Sequence, residues 1–116
     1  MGDKVYDLEQ RTFIFARDCR FLLKRLPKTI QTQEDGKQLI RSSGSVGANY
    51  IEANESLSKK DFCYRIKICR KEAKESHYWL NLLKVCNPDF QEDIIILVQE
   101  STEIKKIFSS ILEKSQ

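Results

Sequence analysis

The densest group of chemically competent side chains lies between residues 59 and 84. It comprises Lys59, Lys60, Arg65, Lys67, Arg70, Lys71, Lys74 and Lys84. Lys60, Lys67, Lys71 and Lys74 follow one another at steps of seven, four and three, which keeps them on one face of a helix with Arg70 close by. Such a face is suited to neutralising successive phosphates, and binding of that kind weakens steeply with salt. The plainer reading is a solvated helix face, partly paired with Glu72 and Glu75 or with the acidic segment that follows. A second basic group comprises Arg17, Arg20, Lys24, Arg25 and Lys28. It closes the first helical segment, where positive charge is favourable for the helix dipole alone. Tyr64 and Tyr78 are the rings available for stacking beside these groups, too few for sequence-specific readout of single strands.

Catalytic constellations are not assembled. Glu52 and Glu55 stand three apart and share a helix face, and paired carboxylates can transfer protons or hold a metal. No Glu-x-x-His pattern accompanies them, so a di-iron centre is not expected. Inter-helix ion pairs are expected instead, Arg41 or Arg70 with Glu52 or Glu75, serving specificity of packing more than stability. His77, the single histidine, lacks the serine or cysteine at a strand-turn that a nucleophilic triad needs. Beside it, Tyr78 and Trp79 are expected to anchor their helix against another helix or subunit. Cys19, Cys63, Cys69 and Cys86 form no C-x-x-C pair, so a zinc site would have to be gathered from distant helices. Cys19 and Cys69 fall on apolar stripes and read as reduced, buried thiols of a cytoplasmic protein. The expectation is a non-enzyme with no catalytic residue, metal or cofactor.

These residues need a scaffold, and 116 residues suit a single domain over 1–116. Apolar residues are 41%, charged residues 32% and prolines only 2, a balance that favours a helix-rich globular chain. The longest apolar runs, such as "IIILV" at 94–98, are far too short to span a membrane. The polar start "MGDKVYDLEQ" shows no secretory signal, and "MGDKVY" lacks the Ser or Thr at position 6 of a myristoylation site. The net charge of +3 is unevenly spread: +1 over residues 1–58, +5 over 59–86 and −3 over 87–116. The surface should therefore be electrostatically two-sided.

Apolar periodicity gives four helices. Val5, Leu8, Thr12, Phe15, Cys19, Leu22 and Leu26 form the first seam, stopped by Pro27. Leu39, Ser43, Val46, Tyr50, Ala53 and Leu57 form the second, over about residues 31–57. Phe62, Ile66, Cys69, Ala73, Ser76, Leu80 and Leu83 form the third, with Ser58 and Asp61 as its capping residues. Asn87 and Pro88 read as N-cap and first residue of the fourth. Its seam is Phe90, Ile94, Leu97, Ser101, Ile104, Phe108 and Ile111, widened by Ile95, Val98, Ile107 and Leu112. Short connections force antiparallel neighbours, so the predicted fold is all-α, an up-down-up-down four-helix bundle.

The second seam runs unbroken through "RSSGSVGANYIEANES". That stretch is therefore helix, although each glycine costs about 1 kcal/mol against alanine in a helix interior. Close approach of a neighbouring helix over Ser43, Gly44, Gly47 and Ala48 would offset the cost. A P-loop is excluded, because the G-x-x-x-x-G-K-[ST] frame and a preceding strand are both missing.

"RSSGSVGANYIEA" at 41–53, "SKKDF" at 58–62 and "KEAKESHYWL" at 71–80 resemble the four-helix-bundle family of 23S ribosomal RNA intervening-sequence proteins. That family is related to the accessory variability proteins of diversity-generating retroelements. The likeness covers nearly all of the chain and is strongest over residues 38–83. Tyr50 and Ala53 depart from it, standing where members often carry an aliphatic residue and a glycine. The resemblance implies a bacterial, cytoplasmic bundle assembled as a ring-shaped homopentamer with a basic surface or pore. It also implies two candidate partners, RNA or DNA and a protein such as a reverse transcriptase. Two functions follow as expectations: an accessory protein that binds nucleic acid through basic helix faces, or a scaffold that docks an enzyme without touching nucleic acid.

Overall fold

The computed structural model describes residues 7–116. Four helices follow in order: α1 (Leu8–Arg25), α2 (Ile30–Asn54), α3 (Lys59–Cys86) and α4 (Gln91–Ser115). A 3-10 turn over Pro88–Phe90 leads into α4. Val5, the first member of the expected seam, lies outside the described residues.

The helix starts are written in local chemistry. Asp7, Thr29 and Ser58 cap α1, α2 and α3, each accepting a backbone N–H of the first turn, from Glu9, Thr32 and Asp61. The fourth start differs from expectation. The Asn87 side chain makes no capping bond to the turn that follows, which its carbonyl closes by accepting the Phe90 N–H at 2.9 Å. Its buried amide instead donates to the Leu83 carbonyl at 2.9 Å and to Thr32 Oγ1 at 3.3 Å. A buried amide must find acceptors, and here it finds two, tying the end of α3 to the start of α2. Proline then opens the tighter turn, and α4 begins at Gln91 without a side-chain cap.

The four seams meet in one core. Phe15, Leu22, Leu39, Ile66, Leu80, Leu83, Ile94, Ile104 and Phe108 are its largest apolar members, all essentially without exposure. The seam's polar members Thr12, Ser43, Ser76 and Ser101 are buried too. They are satisfied locally or by one another: Thr12 bonds the Leu8 carbonyl at 3.0 Å, and Ser76 meets Ser42 at 2.8 Å. Leu57 departs from its seam, being 98% exposed. Helix α2 has ended at Asn54, closed by Glu55 N–H to the Ala53 and Glu52 carbonyls, so the period no longer governs Leu57. Ile95 and Ile96 also face outward, at 41% and 63% exposure.

Each helix packs on two others: α1 on α2 and α4, and α3 on α2 and α4. The diagonal backbones stay apart, but Tyr50 of α2 reaches Phe108 of α4 across the core, with ring centroids 5.8 Å apart. The bundle is flattened, with extents of 44 × 30 × 19 Å, and its α1–α2 and α3–α4 faces lie on opposite sides. Among the described residues, no helix is long and apolar enough to cross a membrane.

Candidate nucleic-acid interface

The α3 cations line a series of connected hollows along the α3–α4 face. Lys67, Arg70, Lys71 and Lys74 line a groove of about 430 Å³, with Lys105 and Ser109 of α4 on its other wall. Lys60 and Lys67 border a second hollow of about 490 Å³ with Tyr64. Lys74 and Lys105 border a third of about 240 Å³ with His77 and Thr102. Shared side chains make these one continuous basic track.

The carboxylates that could have neutralised it turn away. Glu72 and Glu75 point to α2, where both meet Arg41: Nη1 lies 3.4 Å from Glu72 Oε1, and Nη2 binds Glu75 Oε2. Trp79 donates its indole N–H to the same Glu75 oxygen at 3.2 Å, and Tyr78 packs edge-on against Trp79 with centroids 5.0 Å apart. Arg41, Glu75 and Trp79 thus form one α2–α3 network with Tyr78 at its margin, while Glu52 is exposed and outside it. Among the described residues, Lys60, Lys67, Arg70, Lys71 and Lys74 have no ion-pair partner. That leaves their charge available to an external anion.

Burial pushes the Glu75 carboxyl upward, but hydrogen bonds from Trp79 and Arg41 outweigh it and hold the group below the usual range. Its contribution to stability is complete above the unfolded glutamate pKa of about 4.3 and is lost as pH falls through the lower folded value. Arg41→Ala should destabilise by about 1–2 kcal/mol at neutral pH, because Glu72 is left nearly buried without a counter-charge. Glu52→Ala should change stability by less than about 0.5 kcal/mol. Urea unfolding at neutral and acidic pH checks both, the Arg41 difference shrinking in acid.

Of the first-helix cations, Arg17, Arg20 and Lys24 lie away from the α3 groove, while Arg25 pairs with Asp93 of α4 at 3.0 Å. Arg20 donates to the Ala16 carbonyl at 3.0 Å, the Ile40 carbonyl at 3.3 Å and Ser43 Oγ at 3.4 Å, clamping α1 to α2. Arg17 pairs with Asp18 at 2.9 Å, and it and Lys24 lie 5.6 and 5.8 Å from the centroid of the Phe21 ring. The structure therefore does not bring the two basic groups together.

The small-residue stretch is helical throughout. Gly47 faces Thr12 of α1, where an added Cβ would lie 2.9 Å from Oγ1. Gly44 faces Arg20, and Ser43 is buried beneath the same guanidinium. Ala48 is exposed and, with both glycines, lies in an apolar groove of about 390 Å³ beneath Phe13 and Ile51.

Several participants carry no local sequence signal. Lys105 and Ser109 join the basic track from a segment that is acidic overall. Arg11 grips Glu100 with two bonds, 2.8 and 3.0 Å, across 89 residues of sequence, and Arg65 donates to Asn49 at 3.0 Å. Burial pushes the Cys19 and Cys69 thiols up to about 12, which keeps them protonated and unreactive. Cys63 is half-buried and Cys86 exposed, all four being free thiols. Among the described residues, no three His, Cys, Asp or Glu side chains gather where they could hold a metal ion.

Compared with known families, residues 4–110 match the sequence model of the 23S rRNA-intervening sequence protein. The chain belongs to that family. A crystal structure of a protein of unknown function from the S23 ribosomal protein family of Bacteroides thetaiotaomicron is similar to it, with 32% identity and a TM-score of 0.78. The match covers 90% of this chain and 96% of the other. No curated protein matches. Membership in the intervening-sequence family accords with the four helices.

Proposed function

We propose that this member of the intervening-sequence family is a non-enzymatic accessory protein that binds RNA or DNA on the α3–α4 face of a symmetric homo-oligomer. The observation that carries this is the orientation of Glu72 and Glu75. The two glutamates of the basic helix are committed to Arg41, and Asp61 sits at its first turn, so the row from Lys60 to Lys74, joined by Lys105, is left without an ion-pair partner among the described residues. Phosphate spacing along a strand suits a row of cations rather than a single pocket. A ring would repeat the row and raise its field, and the family resemblance favours five subunits.

The opposite face supports the assembly. Phe13 is 68% and Ile51 49% exposed, bordering the small-residue groove, with Arg17 on its rim. Helix α4 exposes Ile95 and Ile96 beside the acidic Glu92. A second copy fits these features, its acidic apolar ridge entering the groove beside Arg17 and Arg20, with Glu9 also on its lining. Two unlike patches meeting head to tail give a ring when the rotation between copies closes. Phe13→Glu should convert the oligomer to monomer in analytical ultracentrifugation. An unchanged mass would remove the groove from the interface.

Binding measured across salt tests the function. Log affinity should fall linearly with log salt, with a slope of about −3 to −5 for the cations of one subunit. A weak slope, or no binding at low salt with a partner enzyme held instead, favours the scaffold reading.

A further inference from the structure

The inner end of the basic track differs from the rest. It is a pocket of about 240 Å³ between α3 and α4, lined by Lys74, His77, Ser101, Thr102 and Lys105. We propose that this pocket binds a phosphate monoester, the terminal phosphate of a nucleic-acid strand or free phosphate. The inference rests on the proposed function only for the first of those sources.

The geometry selects a terminal phosphate over an internal one. The groove beside it is larger, at about 430 Å³, and its contributions are chiefly long cationic side chains. The pocket adds short, positioned donors. Asn81 Nδ2 lies 3.2 Å from His77 Nδ1, and an amide nitrogen only donates. Nδ1 is therefore the acceptor, which leaves the proton of the neutral ring on Nε2 as a donor. Ser101 gives its hydroxyl proton to the Val98 carbonyl at 2.6 Å, and Thr102 shares that carbonyl at 3.2 Å. The shorter bond satisfies the carbonyl, so the Thr102 hydroxyl can turn to a ligand at little cost. Two ammonium groups, an N–H and an O–H match the charge and acceptor oxygens of a dianion, which an internal diester does not carry.

Electrostatics agree with the geometry. Burial first, then Lys105 of α4 and Lys84 of α3, hold the His77 ring below its ordinary pKa. Lys74 of α3 adds a further cation at the pocket. A dianion seated in the pocket would offset these cations and favour the protonated ring.

His77 is the single histidine of the chain, so its imidazole signals need no assignment. NMR titration of the oligomeric protein should give a His77 pKa below 6.5. Inorganic phosphate at millimolar concentration should raise it by about half a unit or more. A 5′-phosphorylated oligonucleotide should bind about tenfold tighter than the 5′-hydroxyl strand of the same sequence. Thr102→Val, which leaves every groove cation in place, should remove most of that gain and weaken the phosphate response. A His77 shift with phosphate but equal affinity for the two strands would assign the pocket to free phosphate. A His77 shift with no strand binding would retain the pocket and overturn the nucleic-acid reading. Binding of both strands alike, with His77 indifferent to phosphate, would overturn the pocket and leave that reading standing.

Discussion

Lys67, Lys71 and Lys74 changed together to glutamate should abolish polyanion binding and leave the bundle folded. The three side chains are exposed and have no ion-pair partner among the described residues, so the fold loses little. The electrostatic change is large: the formal net charge moves from +3 to −3, and the new charges all sit on one groove. Each lost phosphate contact lowers the salt slope by about one, and affinity at low salt should drop on the order of a hundredfold or more. Arg17→Glu with Lys24→Glu separates face from net charge. Those residues lie across the bundle, against Phe21, and their reversal should weaken binding much less. Losses in proportion to the charge removed, six units for the triple variant and four for the double, would mean that only overall charge matters. Unchanged affinity of the triple variant in low salt would rule out the α3 face.

Gly47→Leu should lower stability by about 2–3 kcal/mol, a melting shift of roughly 8–12 °C. The β-carbon alone would lie 2.9 Å from Thr12 Oγ1 and 3.3 Å from Thr12 Cβ. Thr12 cannot withdraw easily, because it is fully buried and its hydroxyl is bound to the carbonyls of Leu8 and Glu9, each at 3.0 Å. The rest of the leucine must then separate α1 from α2. Gly44→Ala is the contrast. Its nearest neighbour is Arg20 Nη2 at 3.2 Å, the far end of a flexible side chain. The gain of about 1 kcal/mol in helix propensity should leave Gly44→Ala neutral or stabilising. Calorimetry and oligomer mass read both variants. An unaltered melting temperature and mass for Gly47→Leu would contradict a close α1–α2 approach at this residue.

The helices were legible because a period of three and four survives local insult. It runs through Gly44 and Gly47, and the chain is helical there. Helix ends were less legible. Asn87 is a favoured cap by type, yet its amide is used inside the core, and nothing local announces that choice. Leu57 kept the period by coincidence, since α2 ends without the glycine or proline that would have marked the stop. For the candidate site, spacing correctly grouped the α3 cations on one face, a purely local property. Which way Glu72 and Glu75 turn depends on Arg41, more than thirty residues away, and Lys105 enters only through α3–α4 packing. The separation of Arg17, Arg20 and Lys24 from the α3 cations is likewise a property of how the four helices pack.

The most direct test is light scattering of the purified protein, alone and with a structured RNA, at low and moderate salt. The predicted result is a symmetric oligomer that gains RNA mass at low salt and releases it as salt rises. A stable oligomer whose mass ignores RNA at every salt concentration would contradict the nucleic-acid function and direct attention to a protein partner.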